Sequence, residues 1–347
     1  MKNIDFNEKN YKNKINYKFH KSPFFKYKSE ITNTNYNGGA NDVFEVYLSY
    51  KDNKEYIASQ NKNKQIDIFI LLENKKLKSL EGHEFVIRTI RYFINYKNNN
   101  EYLISADSNK IVIVWDITDN YSIKYNFKNS YDDYNRSCLL FFLPNNNDDF
   151  IIISSNSIGN INTSATKIYS LNTGEYIKYI PNSNNYYICY LLYWNNKKNN
   201  KFYLVELAYQ NIIINNLLEN ELYCQLKHEP EGYHNSGFIF NKGNNEYLCC
   251  SSSKGYINIW VLYNKNLFKV IHINGSFLMH IINWNNKYFI VSDIYNSIKI
   301  IDIETEQVVT NIKQNKGVIC IKKIYHPIYG ESLLSAGRDD RIKLWII

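Results

Sequence analysis

The chain has 347 residues, of which 44% are hydrophobic, and a formal net charge of +8 at pH 7. This length and composition indicate a soluble globular protein of one large domain or two ordinary ones. No apolar run approaches the roughly 18 residues that a membrane helix needs, and residues 1–30 lack the apolar core of a signal peptide. We therefore expect a cytoplasmic protein, with the nucleus as the alternative.

The residue types favour β-strands. The chain contains 32 Tyr and 18 Phe but only 13 Gly and 5 Pro, and aromatic residues fit pleated, half-buried surfaces. Its six Cys include no C-x-x-C pair. The adjacent Cys249 and Cys250 would face opposite sides of a strand. We interpret the thiols as buried and reduced rather than as metal ligands.

The N-terminal segment carries most of the positive charge. Residues 1–30 contain eight Lys against Asp5, Glu8 and Glu30, which gives +5, whereas the rest of the chain is close to neutral. We expect residues 1–23 to form a basic flexible arm before a domain of residues 24–347. Lysine interleaved with Tyr and Phe could bind single-stranded RNA by charge and stacking, or an acidic protein patch. A solvated tail is the favoured alternative.

A short apolar segment recurs along the rest of the chain. Its copies begin at intervals of 41 to 52 residues, a period typical of repeat architectures. The copies are EYIAS from Glu55, EYLIS from Glu101, DFIIIS from Asp149, KFYLVE from Lys201, EYLCCS from Glu246, KYFIVS from Lys287 and ESLLS from Glu331.

Each copy lies within the same longer pattern. An apolar-aromatic strand and an Asn/Lys-rich turn precede it, and a polar turn, an alternating strand and a looser fourth segment follow. In unit two the third strand reads KIVIVWDI, and in unit five it reads YINIWVL. Seven units of four short antiparallel strands predict an all-β propeller, in which sheets pack face to face around an axis.

Two residue pairs at a fixed spacing point to one particular family of repeat proteins. Gly82-His83 and Trp115-Asp116, with 32 residues from His83 to Trp115, resemble the glycine-histidine and tryptophan-aspartate signature of the WD-repeat family. The resemblance covers about residues 42–347 and implies a seven-bladed β-propeller of four-stranded antiparallel blades. Units two, five and seven carry Trp at the marker position, whereas the other units have Phe69, Tyr169, Asn215 and Ile301.

The resemblance also implies a buried hydrogen-bonded chain that braces each blade. In the family a His, a Ser or Thr, an Asp and the marker Trp form this chain. Asn109 stands at the Asp position of unit two, Lys254 at that of unit five, and Lys316-Gly317 replaces the Gly-His pair of unit seven. The structural residues implied are His83, Ser105, Asn109, Trp115, His234, Trp260, Ser335, Asp339 and Trp345.

The last unit lacks a fourth strand of its own. Residues 318–347 supply three strands, and a spare alternating segment at about residues 24–34 precedes unit one. We expect this N-terminal strand to complete the last blade and close the ring, as in most propellers of the resembled family, because an unpaired edge strand invites pairing with another chain.

No catalytic motif is present in the sequence. It contains no G-x-S-x-G, no G-x-x-x-x-G-K-S/T, no G-x-G-x-x-G and no H-E-x-x-H. The paired acids, such as Asp132-Asp133, fall in predicted turns, where Asp binds its own backbone. We therefore predict no catalytic, cofactor-binding or metal site, and no enzyme.

Two surfaces other than the arm could meet a partner. One is the rim of the ring that holds the loops between blades and the turns between second and third strands, as the family resemblance implies. The other is the lengthened loop at residues 126–135. Asn/Lys runs such as NNKKNN from Asn195 fall on the opposite rim, where we interpret them as padding. The candidate partner-binding residues are Glu84, Phe85, Arg88, Ser108, Tyr233, His234, Ser253 and Arg338.

These features favour a protein-interaction scaffold or adaptor, monomeric on its own and bound to other proteins within a complex. One alternative is a component of an RNA-containing particle that uses the basic arm. A second is a substrate receptor of a ubiquitin ligase. Such receptors often carry W-D-x-R, whereas Trp115-Asp116 is followed by Ile117 and Thr118, which counts against that alternative.

Overall fold

The computed structural model describes residues 26–33, 44–73, 75–95, 97–109, 111–128, 135–142, 149–155, 165–181, 188–219, 221–227, 232–339 and 341–346. Within these ranges no helix is long and apolar enough to cross a membrane. The first strands are β1 (Lys26–Asn33), β2 (Phe44–Leu48), β3 (Glu55–Gln60), β4 (Ile66–Ile70), β5 (Lys75–Leu80), β6 (Ile87–Asn95), β7 (Asn100–Asp107), β8 (Val112–Asp116) and β9 (Ser122–Phe127).

Nineteen further strands follow at similar spacing. The next are β10 (Asn135–Phe142), β11 (Asp149–Ser155), β12 (Ala165–Ser170), β13 (Tyr176–Pro181), β14 (Ile188–Asn196), β15 (Lys201–Ala208), β16 (Asn211–Asn216), β17 (Leu222–Lys227), β18 (His234–Lys242) and β19 (Asn245–Ser252). The last are β20 (Tyr256–Val261), β21 (Asn266–His272), β22 (Leu278–Trp284), β23 (Tyr288–Asp293), β24 (Ser297–Asp302), β25 (Val308–Lys313), β26 (Val318–His326), β27 (Gly330–Gly337) and β28 (Arg341–Ile346).

These strands form seven four-stranded antiparallel sheets. Blades one to six take four consecutive strands each, from β2–β5 to β22–β25, and blade seven has the order β1-β28-β27-β26. The predicted all-β fold of seven repeated units is confirmed.

The sheets surround a common axis. The first strands of the seven blades contact one another in a closed cycle, in which β2 touches both β6 and β26. These strands therefore lie innermost. The fourth strands lie outermost and are largely exposed, as in β5, whereas the third strand β16 is buried along its whole length.

The hydrophobic core is divided among the contacts between neighbouring blades. Each of seven apolar clusters joins adjacent blades; one of them packs Phe44 and Ile57 of blade one against Ile319 and Leu334 of blade seven. Burying one such side chain contributes about 1.5–3 kcal/mol. No blade therefore has a complete core without its neighbours, as in other repeat proteins.

The edge of the last blade is covered by the N-terminal strand. β1 pairs antiparallel with β28, with Lys26 opposite Ile346 and Asn33 opposite Arg341, and the register shifts twice along the pair. Whether this pairing is needed for stability stays a prediction.

The Asn-rich turns between first and second strands have a backbone role. Asn53, Asn99 and Asn200 each adopt a positive φ of 55–58°, a conformation that Asn tolerates better than most residues. In the same turns the Asn196 side-chain oxygen accepts a 2.9 Å hydrogen bond from the Lys198 N–H. These Asn residues therefore shape the turns, and the interpretation of the runs as padding rather than as a partner site stays a prediction.

The acidic residue that opens several second strands ties one blade to the next. Glu101 of blade two accepts hydrogen bonds from the Ser49 hydroxyl and the Tyr50 N–H of blade one, at 3.0 and 2.8 Å. Glu246 of blade five accepts one from the Trp194 indole N–H of blade four at 2.9 Å. The repeated acid in EYLIS and EYLCCS thus satisfies buried donors of the preceding blade.

Three side chains from non-adjacent blades meet at the axis. The Arg91 guanidinium of blade two lies 4.4 Å from the ring centre of Tyr190 in blade four. The Tyr190 ring stands edge-on to His280 of blade six, with 6.3 Å between ring centres. Tyr190 and His280 are buried. A cation over an aromatic face is attractive, the more so away from water, so this cluster links alternate blades across the ring.

Candidate functional site

The antiparallel order of each blade sorts the connections into two ends of the ring. Turns from first to second and from third to fourth strands lie at one end, which we call the turn rim. Turns from second to third strands and the loops between blades lie at the other end, which we call the loop rim. The described parts of the loop rim include residues 61–65, 81–86, 232–233, 253–255, 294–296, 314–317 and 338–339.

A buried chain of hydrogen bonds supports the loop rim at blade two. The Trp115 indole N–H donates to the Ser105 hydroxyl oxygen at 2.9 Å, and the His83 Nε2 lies 2.7 Å from the same oxygen. The His83 Nδ1 lies 3.1 Å from Asp107 Oδ2. Since Ser105 can then donate to Nε2, we infer that a neutral His83 carries its proton on Nδ1 and donates it to Asp107.

The carboxylate of this chain is Asp107 and not the predicted Asn109. Asp107 is fully buried at the end of β7, whereas Asn109 is exposed. The other Asp107 oxygen accepts hydrogen bonds from the N–H groups of Asn109 and Ile111, at 2.9 and 3.1 Å. Asn109 contributes its backbone alone to these contacts. The prediction for Asn109 is therefore wrong by two residues.

Blade five has a weaker version of the chain. Cys250 replaces the Ser, and its sulfur lies 3.6 Å from His234 Nδ1. The buried Trp260 indole nitrogen has no hydrogen-bond partner among the described residues. Because a thiol is a weak donor and acceptor, Trp260 stabilises this blade mainly by packing.

In blade seven, only two of the three predicted structural residues contact each other. The Trp345 indole N–H donates to the Ser335 hydroxyl at 2.8 Å. Asp339 instead forms an ion pair with Lys343, whose ammonium also donates to the Gln314 side-chain oxygen at 2.9 Å. Asp339 therefore lies outside the Ser-Trp pair, and its placement in that chain was wrong.

In blade four, Glu206 occupies the position that Ser105 has in blade two. The Glu206 side chain is buried on β15 and accepts hydrogen bonds from the Asn215 amide, at 3.0 Å, and from the Thr166 hydroxyl of blade three. Burial raises the pKa of Glu206 to about 7, because it disfavours the charged form. The hydrogen bonds from Thr166 and Asn215 favour the charged carboxylate and so oppose this rise in pKa, but the effect of burial is larger.

The stability of the protein should depend on this proton. Because the pKa of Glu206 is higher in the folded chain than in the unfolded one, the folded state binds more protons between about pH 4.3 and 7. The stabilisation from this group is fully present below that window and falls by roughly 3–4 kcal/mol as the pH rises through it. We expect Glu206→Gln to remove this dependence. Urea denaturation at a series of pH values measures it, and equal pH profiles for the two proteins would contradict it.

Not all of the candidate partner-binding residues are available to a partner. His234 and Ser253 are only 3% and 8% exposed. The Ser253 hydroxyl accepts a 3.0 Å hydrogen bond from the Tyr233 N–H. Both residues therefore support the loop rim from below, and their prediction as contact residues is corrected.

The remaining candidates lie on the loop rim in three separate groups. Glu84, Phe85, Arg88 and Ser108 belong to blade two, Tyr233 precedes blade five, and Arg338 belongs to blade seven. Phe85 and Tyr233 are each 40% exposed, Glu84 and Arg338 are exposed, and Arg88 and Ser108 are half-buried. The structure thus brings together the blade-two residues but not all of the set.

Two of these aromatic rings already have neighbours. The Lys64 ammonium lies 5.7 Å from the Phe85 ring centre, and Tyr233 packs against Tyr209, with 4.8 Å between ring centres. Each ring is thus partly covered by a neighbour, although both residues remain 40% exposed.

A cleft that the sequence did not reveal opens on the loop rim at blade six. It has a volume of about 360 Å³, and Asp293, Tyr295, Lys299, Lys313 and Gln314 are among its lining residues. The Lys299 ammonium donates to the Ser276 hydroxyl at 2.7 Å and forms an ion pair with the buried Asp293. The Lys313 side chain is exposed, and its ammonium has no hydrogen-bond or ion-pair partner among the described residues.

Two predicted features lie outside the described residues. These are the basic arm at residues 1–23 and most of the lengthened loop at residues 126–135. Within the part of the chain that the structure describes, no group of three or more His, Cys, Asp or Glu side chains is placed to hold a metal ion.

Comparison with known proteins supports the resemblance drawn from the marker residues. Residues 74–116, which contain the Gly82-His83 and Trp115-Asp116 pairs, match the family model for the WD domain, G-beta repeat. A search of curated proteins found no match to this chain. The match covers one repeat, and the seven-bladed arrangement extends the same architecture to the other six.

Proposed function

We propose, from the premise that the chain is a seven-bladed WD-repeat β-propeller, that it is a non-enzymatic scaffold that binds a protein partner through its loop rim. WD-repeat propellers typically bind other proteins and are generally non-catalytic. Proteins that share a fold can have many functions, however, so a scaffold role also requires a surface that can bind a partner.

The surface that carries the proposal is the loop rim at blade two. Phe85 is exposed there beside Glu84 and Arg88, directly above the buried chain that begins at His83. Aromatic and Arg side chains are enriched at interface hot spots. A rigid support limits the entropy that a loop loses on binding, and the hydrogen bonds of His83 supply that support.

The test is affinity purification from the native cell followed by mass spectrometry, with the wild type compared with Phe85→Ala at blade two and with Arg338→Glu at blade seven. Arg338 is exposed, and its backbone N–H donates to the Gly317 carbonyl oxygen at 2.8 Å, so a side-chain change should preserve the fold. Reversing a charge at an interface rim is expected to reduce partner recovery about tenfold.

Lys287→Glu provides the matched control. Lys287 is an exposed Lys on the turn rim, and its reversal should leave the recovered proteins unchanged. Wild-type partner recovery with both Phe85→Ala and Arg338→Glu would contradict binding through the loop rim, and loss of partners with Lys287→Glu as well would point to a general effect of charge.

A further inference from the structure

The blade-six cleft presents a positive charge on a concave surface. Lys313 ends β25 at the loop rim and lines the cleft together with Asn296 and Asn311. Tyr295, 65% exposed, stands at the same cleft. An uncommitted ammonium with neighbouring amides can bind an anionic group and a peptide backbone at once.

The charge of the cleft suits a single carboxylate. Asp293 compensates Lys299 by direct ion pairing, and Asp339 compensates Lys343 beside Gln314. Lys313 therefore supplies about one net positive charge. A phosphate dianion would face the Asp293 carboxylate with one uncompensated cation, whereas strong phosphate sites use bidentate Arg or several donors.

The rim aromatics favour a polypeptide over a nucleic acid. Sequence-tolerant binding of a single strand requires aromatic faces on which successive bases can stack. Lys64 lies over Phe85, and Tyr209 and Tyr233 pack against each other. Tyr295 also has a neighbour, since the Phe277 ring stands edge-on to it with 6.5 Å between ring centres. Ring edges of this kind suit side-chain packing better than base stacking.

We infer that the blade-six cleft binds an acidic segment of a protein partner, with one Asp or Glu carboxylate of that segment on the Lys313 ammonium and an apolar side chain beside Tyr295. This inference rests on the proposed function, because it names the partner chemistry of the same rim.

The test begins with a displayed library of random peptides, selected on the purified full-length protein. Selected peptides should be enriched in Asp and Glu. An enriched peptide, labelled with fluorescein, is then measured by fluorescence anisotropy against the wild type, Lys313→Glu, Lys313→Gln and the matched control Lys287→Glu. We expect binding about tenfold weaker with Lys313→Glu, a smaller loss with Lys313→Gln and no change with the control.

The outcomes separate this inference from the proposed function. Unchanged peptide affinity with Lys313→Glu, or selection of uncharged or basic peptides, would overturn the cleft assignment. If Arg338→Glu still lost its cellular partners, the proposed function would hold although the cleft assignment was wrong. A fluorescein-labelled oligouridine provides the nucleic-acid comparison, and tighter binding of this RNA than of the peptide, lost in Lys313→Glu, would refute the acidic-peptide inference.

Discussion

Deletion of residues 1–36 is expected to lower the melting temperature by about 10 °C or more and to make the protein prone to aggregation. The deletion removes β1, which pairs with β28 from Lys26 to Asn33. Each lost backbone hydrogen bond costs about 0.5–1.5 kcal/mol net, so a whole strand contributes several kcal/mol. The outer edge of β28, a strand with a buried apolar face, would then be open to other chains.

The control is a shorter deletion of residues 1–23, which removes the basic arm but leaves β1 intact. It should melt like the full chain. Circular dichroism during heating, with light scattering to detect aggregates, compares the three proteins. If the two deletions had equal melting temperatures and equal scattering, the closing strand would not contribute to stability.

Asp107→Ala is expected to destabilise the protein by about 3–5 kcal/mol. The substitution leaves the His83 Nδ1 and the Ile111 N–H without their acceptor in a buried site, and the partly buried Asn109 N–H loses the same acceptor. Each buried donor that loses its partner costs about 1–3 kcal/mol. Urea denaturation followed by tryptophan fluorescence measures the effect, because Trp115 belongs to the same chain.

Asn109→Ala is the matched control for Asp107→Ala. Asn109 lies two residues away in the same turn, and its exposed side chain should contribute less than about 1 kcal/mol. A loss from Asn109→Ala as large as that from Asp107→Ala would contradict the assignment of the carboxylate to Asp107.

The fold could be predicted because one local pattern repeats seven times. Copies such as EYLIS and EYLCCS became the second strands β7 and β19. Each copy supplies the same apolar alternation, and a single blade cannot bury its faces alone, so the repeat itself implies a stacked arrangement. The number of copies then set the number of blades.

The bracing residues were harder to predict because side-chain direction decides among close neighbours. Asp107 and Asn109 are both polar and two residues apart, and only the end of β7 shows that Asp107 points toward His83. In blade four, Glu206 and Asn215 replace a Ser and a Trp of quite different shape. A motif based on residue type does not identify such a replacement.

The acidic residues that open the second strands did carry a signal in the sequence. Glu101 and Glu246 recur at the start of EYLIS and EYLCCS, yet their bonding partners lie in the preceding blade. The blade-six cleft carried no such signal. Asp293, Lys299 and Lys313 come from three strands, and their proximity follows from the registers of β23, β24 and β25.

The contact of Arg91, Tyr190 and His280 joins blades two, four and six. These blades are not neighbours in the ring. A displacement of one of them can therefore be transmitted to another without passing through the blade that lies between them.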